Sequence, residues 1–192
     1  MTWMIVGLIV FLGAHSARIV AEGWRSRTIA RIGANAWKGL YSLVSIAGFV
    51  LICIGYGQAR LESGFLYDPP PFMRHVAGLL VLLAFVLVAA AYVPGNRIKA
   101  AVGHPMLAGV KLWAFAHLLS NGRTAGVILF GAFLAWAIAD FIAARRRDRA
   151  AGTIYAPGNF MPTLMVVVAG AAVWAAFAFG LHRVLIGVAP FA

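Results

Sequence analysis

Residues Val76–Val93 read VAGLLVLLAFVLVAAAYV, eighteen positions without a charged or amide side chain. As a helix rising 1.5 Å per residue, the stretch covers about 27 Å, close to the ~30 Å of a bilayer's hydrocarbon core. It has no strand-like alternation, and lipid offers a backbone no partner except its own helix or a closed barrel. The stretch therefore reads as a membrane-spanning helix. Working outward, further apolar runs lie at about Met1–Val20, Ala36–Tyr56, Pro105–Asn121, Thr124–Ala143 and Thr163–Gly187. The run beginning at Pro105 is the least apolar of them. The first run has no basic residue before Arg18, so it reads as a retained helix and not as a secretory signal. The expected fold is all-α: a polytopic membrane bundle of about six helices, forming a single domain over residues 1–192.

Composition agrees. Hydrophobic residues make up 63% and charged residues 11% of the 192 positions, and mean hydropathy is +0.91. A soluble domain has about half and a quarter, so a soluble enzyme, a disordered chain and a disulfide scaffold are excluded. The net charge of +11 would point to nucleic acid in a soluble protein. Here the basic residues fill the gaps between apolar runs, so the expected partner is the lipid bilayer and no nucleic acid. Arg18, Arg25, Arg27, Arg31 and Lys38 flank the first gap, Arg97 and Lys99 the third, and Arg145, Arg146, Arg147 and Arg149 the fifth. In the second gap Arg60 and Arg74 are offset by Glu62 and Asp68, and the fourth holds only Arg123. The positive-inside rule then puts odd loops inside and both termini outside.

Ionisable groups inside spans are costly and face the bundle interior. His15, Arg18 and Glu22 are expected on one face of the first helix, at i, i+3 and i+7. Gly109, Trp113, His117 and Asn121 follow at i+4 steps and form a stripe on the fourth, with Lys111 off the stripe and nearer the face of His104. His104 and His117 are thirteen residues apart, about 20 Å on an ideal helix, and cannot share one metal. His15 and His117 run on oppositely directed helices at depths that differ by only one or two turns. Two facing imidazoles suit a six-coordinate haem, with Arg18 placed for a propionate. The same rings would equally serve as hydrogen-bonding ties between helices. His75 and His182 read as interfacial anchors, and Asp140 as the partner of a nearby arginine. No carboxylate pair, nucleotide loop, zinc spacing or nucleophile elbow is present in the sequence.

The segment His104–Gly122, HPMLAGVKLWAFAHLLSNG, together with Ala14-His15-Ser16-Ala17-Arg18, resembles the NnrU family of small bacterial membrane proteins. The NnrU-like domain also occurs in plant ζ-carotene isomerase. The resemblance covers nearly the whole chain in span order. It implies a multi-pass bacterial inner-membrane protein linked to denitrification and nitric oxide metabolism. It also implies a respiratory or denitrification complex as partner. The related isomerase holds haem b, and its two proposed ligands lie in motifs that match His15 and His117. The resemblance thus implies haem b with His15 and His117 as metal ligands, with Arg18, Trp113, Asn121 and His104 as further cofactor-binding candidates. Isomerase-like action on a small apolar substrate is the finer implication; this chain lacks the isomerase's long flanking segments.

A second resemblance joins His104-Pro105 and Gly109 to the membrane isoprenylcysteine methyltransferases, which bind S-adenosylmethionine there. Gly103 stands where those enzymes usually have a basic or aromatic residue, and Arg145-Arg146-Arg147-Asp148-Arg149 where they have a glutamate-rich stretch. A cofactor-free assembly factor or transporter is the alternative of another class. The orientation is open to direct test. In a Cys53→Ser background, Gly64→Cys should react with a membrane-impermeant maleimide in intact spheroplasts. Ala151→Cys should react only after permeabilisation, and the opposite pattern would invert the topology.

Overall fold

The computed structural model describes residues 1–191. Its helices are α1 (Thr2–Val20), α2 (Glu22–Ile32), α3 (Ala34–Glu62), α4 (Met73–Tyr92), α5 (Arg97–Val102), α6 (Pro105–Ser120), α7 (Thr124–Ala150), α8 (Phe160–Ala176) and α9 (His182–Ile186), with a π-helical turn, Phe177–Leu181, joining the last two. Among the described residues there is no strand, only two isolated bridges. The protein is an all-α helical bundle. Five segments are long and apolar enough to cross a membrane: α1, α3, α4, α7 and the stretch Phe160–Ile186. Many of their large apolar side chains point outward, with Leu43 68% and Leu79 64% exposed. That is the reverse of a soluble core, and it identifies a multi-pass membrane protein.

Four expectations need adjustment. The span expected at Pro105–Asn121 is the 16-residue α6, about 24 Å long and shorter than the hydrocarbon core. The basic gap after the first span is not a loop, since most of it forms α2. Glu22 is not on α1: Ala21, at φ −138° and ψ 34°, breaks the helix, and Glu22 opens α2. The last span is not uniformly α-helical, because the π-helical turn interrupts it.

The chain divides into two compact units. The first comprises Met1–Leu66 and Arg123–Ala132; the second comprises Tyr67–Gly122 and the residues from Phe133 onward. In the first, α1 and α3 run antiparallel, as the order of their contacts requires. Gly55 meets the backbone of Trp3 and Met4, Gly7 meets Gly48 and Ile52, and Gly48 meets Phe11. A Cβ at Gly7 would come within 2.6 Å of the Ile52 nitrogen, and one at Gly48 within 2.8 Å of the Phe11 nitrogen. In lipid, helices gain little from hiding apolar surface from one another, so this close approach supplies the dispersion contact that holds them. At the end of α3 the Arg123 guanidinium donates to the carbonyls of Arg60 and Ser63 at 3.2 and 3.3 Å. It covers the Phe65 ring at 4.3 Å. The cation thereby satisfies carbonyls that a helix terminus leaves open.

In the second unit α4 is central. Gly109 of α6 abuts the Ala84 carbonyl and Val88, while Gly170 of α8 abuts Val86. The Trp174 indole donates to the Gly78 carbonyl at 3.0 Å. Asn96 is the buried polar residue of the turn after α4. Its amide donates to the carbonyls of Ala90 and Val93, and its Oδ1 accepts from the Lys99 N–H at 2.7 Å, capping α5. The connector before α8 docks here through Asn159 N–H to the Gly95 carbonyl and Arg97 N–H to the Thr163 hydroxyl.

These crossings predict a contrast on α3. Gly55→Val should destabilise the detergent-solubilised protein by roughly 1–3 kcal/mol or more, as overpacking does. Gly57→Ala, at a helical site with nothing within 4 Å, should not lower thermal stability and should raise it slightly, since alanine is the better helix former. Equal effects of the two variants would mean that the glycine contacts do not organise the pair.

Candidate functional site

His15 lies in the last part of α1, partly buried. Its Nδ1 is 2.7 Å from the Phe11 carbonyl, four residues earlier in the same helix. A carbonyl only accepts, so Nδ1 carries the proton and the neutral ring has its lone pair on Nε2. The ring stacks on Phe11 with centroids 4.2 Å apart and meets Tyr41 of α3 at 5.2 Å. Arg18, one turn on, is 60% exposed and makes a loose 3.9 Å pair with Glu22. Glu22 is held more closely by Arg25 at 3.0 Å.

His117, in the second unit, repeats the arrangement. Its Nδ1 donates to the Trp113 carbonyl at 2.8 Å, which again puts the lone pair on Nε2. The Trp113 ring lies 5.1 Å from it, and is itself set by an edge contact with Phe133 at 5.6 Å. Asn121, expected one turn further along the helix, is past its end: φ −139° and ψ 99° make it the C-cap. It leaves the stripe because the backbone turns extended there, and its carbonyl accepts from the Tyr67 hydroxyl at 3.2 Å. The other acceptor of that hydroxyl is the Leu118 carbonyl. His182 differs from these two, since its Nδ1 donates to the carbonyl of Val188, six residues later, at 2.7 Å.

His104 is brought to a different place. It is the N-cap of α6, with Pro105 at the first helical position, where its missing N–H costs nothing. Its side chain makes no cap. Instead Nε2 donates to Asp148 Oδ2 at 2.8 Å, and the Tyr155 hydroxyl donates to the same oxygen at 2.8 Å. Burial, and then the bond to Asp148, raise the Tyr155 phenol above its ordinary value, so it stays a protonated donor. Phe141 packs edge-on against His104 at 6.2 Å and carries Lys111 Nζ 3.6 Å above its ring. The intramembrane lysine thus has an aromatic face for its charge, on the side of α6 that the spacing expected. Asp140 pairs with Arg147 at 3.5 Å, also as expected.

The sequence profile described as NnrU protein matches residues 3–190. The chain belongs to the NnrU family. No curated protein and no solved structure matches it. Among the described residues of this NnrU protein there is no group of three or more metal-ligating side chains.

Asp148 and Tyr155 are the participants that sequence reasoning missed. Asp148 left a signal, as the lone acid in a run of arginines. Tyr155 left none, since it sits in an irregular connector where no periodicity applies. If the three side chains pin that connector, Tyr155→Phe should speed amide exchange across residues 151–159 by up to about fivefold, the worth of one net hydrogen bond. Exchange unchanged in the variant would show that the connector is held by other contacts.

Proposed function

We propose that this NnrU protein binds haem b in the bacterial inner membrane, and that His15 and His117 are the residues that would hold it. The proposal is carried by the matching state of the two imidazoles. Each has Nδ1 within hydrogen-bond distance of the carbonyl four residues earlier, which in a neutral ring puts the lone pair on Nε2. Such a bond orients a ligating histidine and raises its basicity. Among the cofactor candidates, Arg18 has the charge for a propionate, and its exposed pairing with Glu22 is weak enough to be exchanged. Trp113 fixes the tilt of the His117 ring. His104 and Asn121 are not part of this set: the first is engaged with Asp148 and Tyr155, and the second lies beyond the helix end.

Bound haem would supply one-electron redox chemistry. The chain's own part would be to present the two imidazoles and balance the propionate charge. From the family resemblance we place this in denitrification or nitric oxide metabolism, beside a respiratory or denitrification complex. Isomerase-like action on a small apolar substrate is the finer possibility. The second reading, a cofactor-free assembly factor or transporter, is favoured by the same rings being packed on Phe11, Tyr41 and Trp113, as helix-packing residues are.

The test is the visible spectrum of protein purified in mild detergent, oxidised and dithionite-reduced, with pyridine haemochrome quantitation. We expect a Soret band, sharp reduced bands and near-stoichiometric haem. His117→Ala should abolish or convert that spectrum. An unchanged spectrum in the variant removes His117 from the ligands, and a featureless wild type after haem supplementation favours the second reading.

A further inference from the structure

We propose that a recess at the arginine-rich end of α7 binds the phosphate group of an anionic phospholipid. The recess has a volume of about 350 Å³, and its lining includes Ala101, Arg145, Asp148, Arg149, Thr153 and Tyr155. Arg145 and Arg149 are four residues apart on a helix and so share a face. Asp148 falls on the same side and its charge is felt by Arg145, without a close ion pair. Its Oδ2 accepts from His104 and Tyr155, and neither arginine has a carboxylate within 4.0 Å among the described residues. Arg147, by contrast, is spent on Asp140.

The backbone builds the rest. Gly152, at φ +62°, ends α7 in a left-handed turn, and the Thr153 N–H returns to the Asp148 carbonyl at 2.9 Å. This reversal brings Thr153 into the lining of the recess. Behind the lining, Gly103 lies against Arg145 and Tyr155. A Cβ there would come within 3.1 Å of the guanidinium and 3.0 Å of the ring, so the absence of a side chain lets both groups seat. Two guanidinium forks and a hydroxyl make a donor set for a phosphate.

The surroundings favour a lipid over a soluble phosphate. Ile154, between Thr153 and Tyr155, is 92% exposed, and Phe160 and Met161 at the start of α8 are 63% and 62% exposed. A basic recess beside outward apolar side chains, at the end of a helix of spanning length, matches the boundary between headgroups and acyl chains. If the arginine-rich end faces the cytoplasm, as the charge pattern expects, it meets the leaflet where anionic lipids concentrate.

Native mass spectrometry of the full chain in detergent tests this, with dioleoyl phosphatidylglycerol, dioleoyl phosphatidylcholine and inorganic phosphate as separate probes. Wild type should retain phosphatidylglycerol in preference to phosphatidylcholine. Each arginine near the surface is worth roughly fivefold, so Arg145→Gln/Arg149→Gln should weaken phosphatidylglycerol retention about 25-fold. Arg146→Gln, outside the recess, should retain it as wild type does. Should the double variant fail to fold, Arg149→Gln at its exposed position should still show the roughly fivefold loss. Undiminished retention in the arginine variants, or an equal loss in Arg146→Gln, would overturn the site in favour of diffuse surface charge. Arginine-dependent binding of inorganic phosphate without a lipid preference would overturn the lipid assignment and leave a free-phosphate site.

Discussion

At Gly55 the backbone of α3 lies against the backbone of α1 with no side chain between them. Much of each unit's organisation depends on contacts of this kind. Water drives a soluble core together, but it cannot do so here, because a leucine is as well solvated by an acyl chain as by another leucine. What remains is dispersion at short range and the requirement that every polar backbone group find a partner. The glycines at 7, 48 and 55 meet the first condition in one unit, and those at 109 and 170 in the other. Arg123, Asn96 and Tyr67 meet the second, each by reaching carbonyls at a helix end or turn.

This division explains what was legible in the sequence. The spans were readable because hydropathy and length are local properties, and Val76–Val93 needed no tertiary context. The pairing of Asp140 with a nearby arginine and the position of Pro105 were readable for the same reason. The break at Ala21 was not, since alanine is a good helix former and nothing in the local chemistry marks it. Nor was the end of α6 before Asn121, although asparagine followed by glycine was a cue. Segment α2 was read as a loop because its charges outweighed its helical spacing.

The candidate site was legible in part. The tautomers of His15 and His117 follow from helix geometry and could not be told from residue identity. His104 was grouped with the other histidines by sequence resemblance, yet its partners come from the far end of α7 and the connector beyond. Such long-range encounters are set by packing, and packing in this chain is set by glycines whose partners the sequence does not name.

The π-helical turn at Phe177–Leu181 has its own consequence for the final segment. Each π-type bond closes over one more residue than an α bond, so the turn inserts one residue's worth of rotation. Everything after it is out of phase with α8 by about 100°. A helical wheel drawn from Phe160 therefore assigns His182 to the wrong side, and the imidazole belongs to a stripe that begins only at the turn itself. Removing a single residue from within the turn would restore the phase and swing that ring away from its present bearing, with no change to its chemistry.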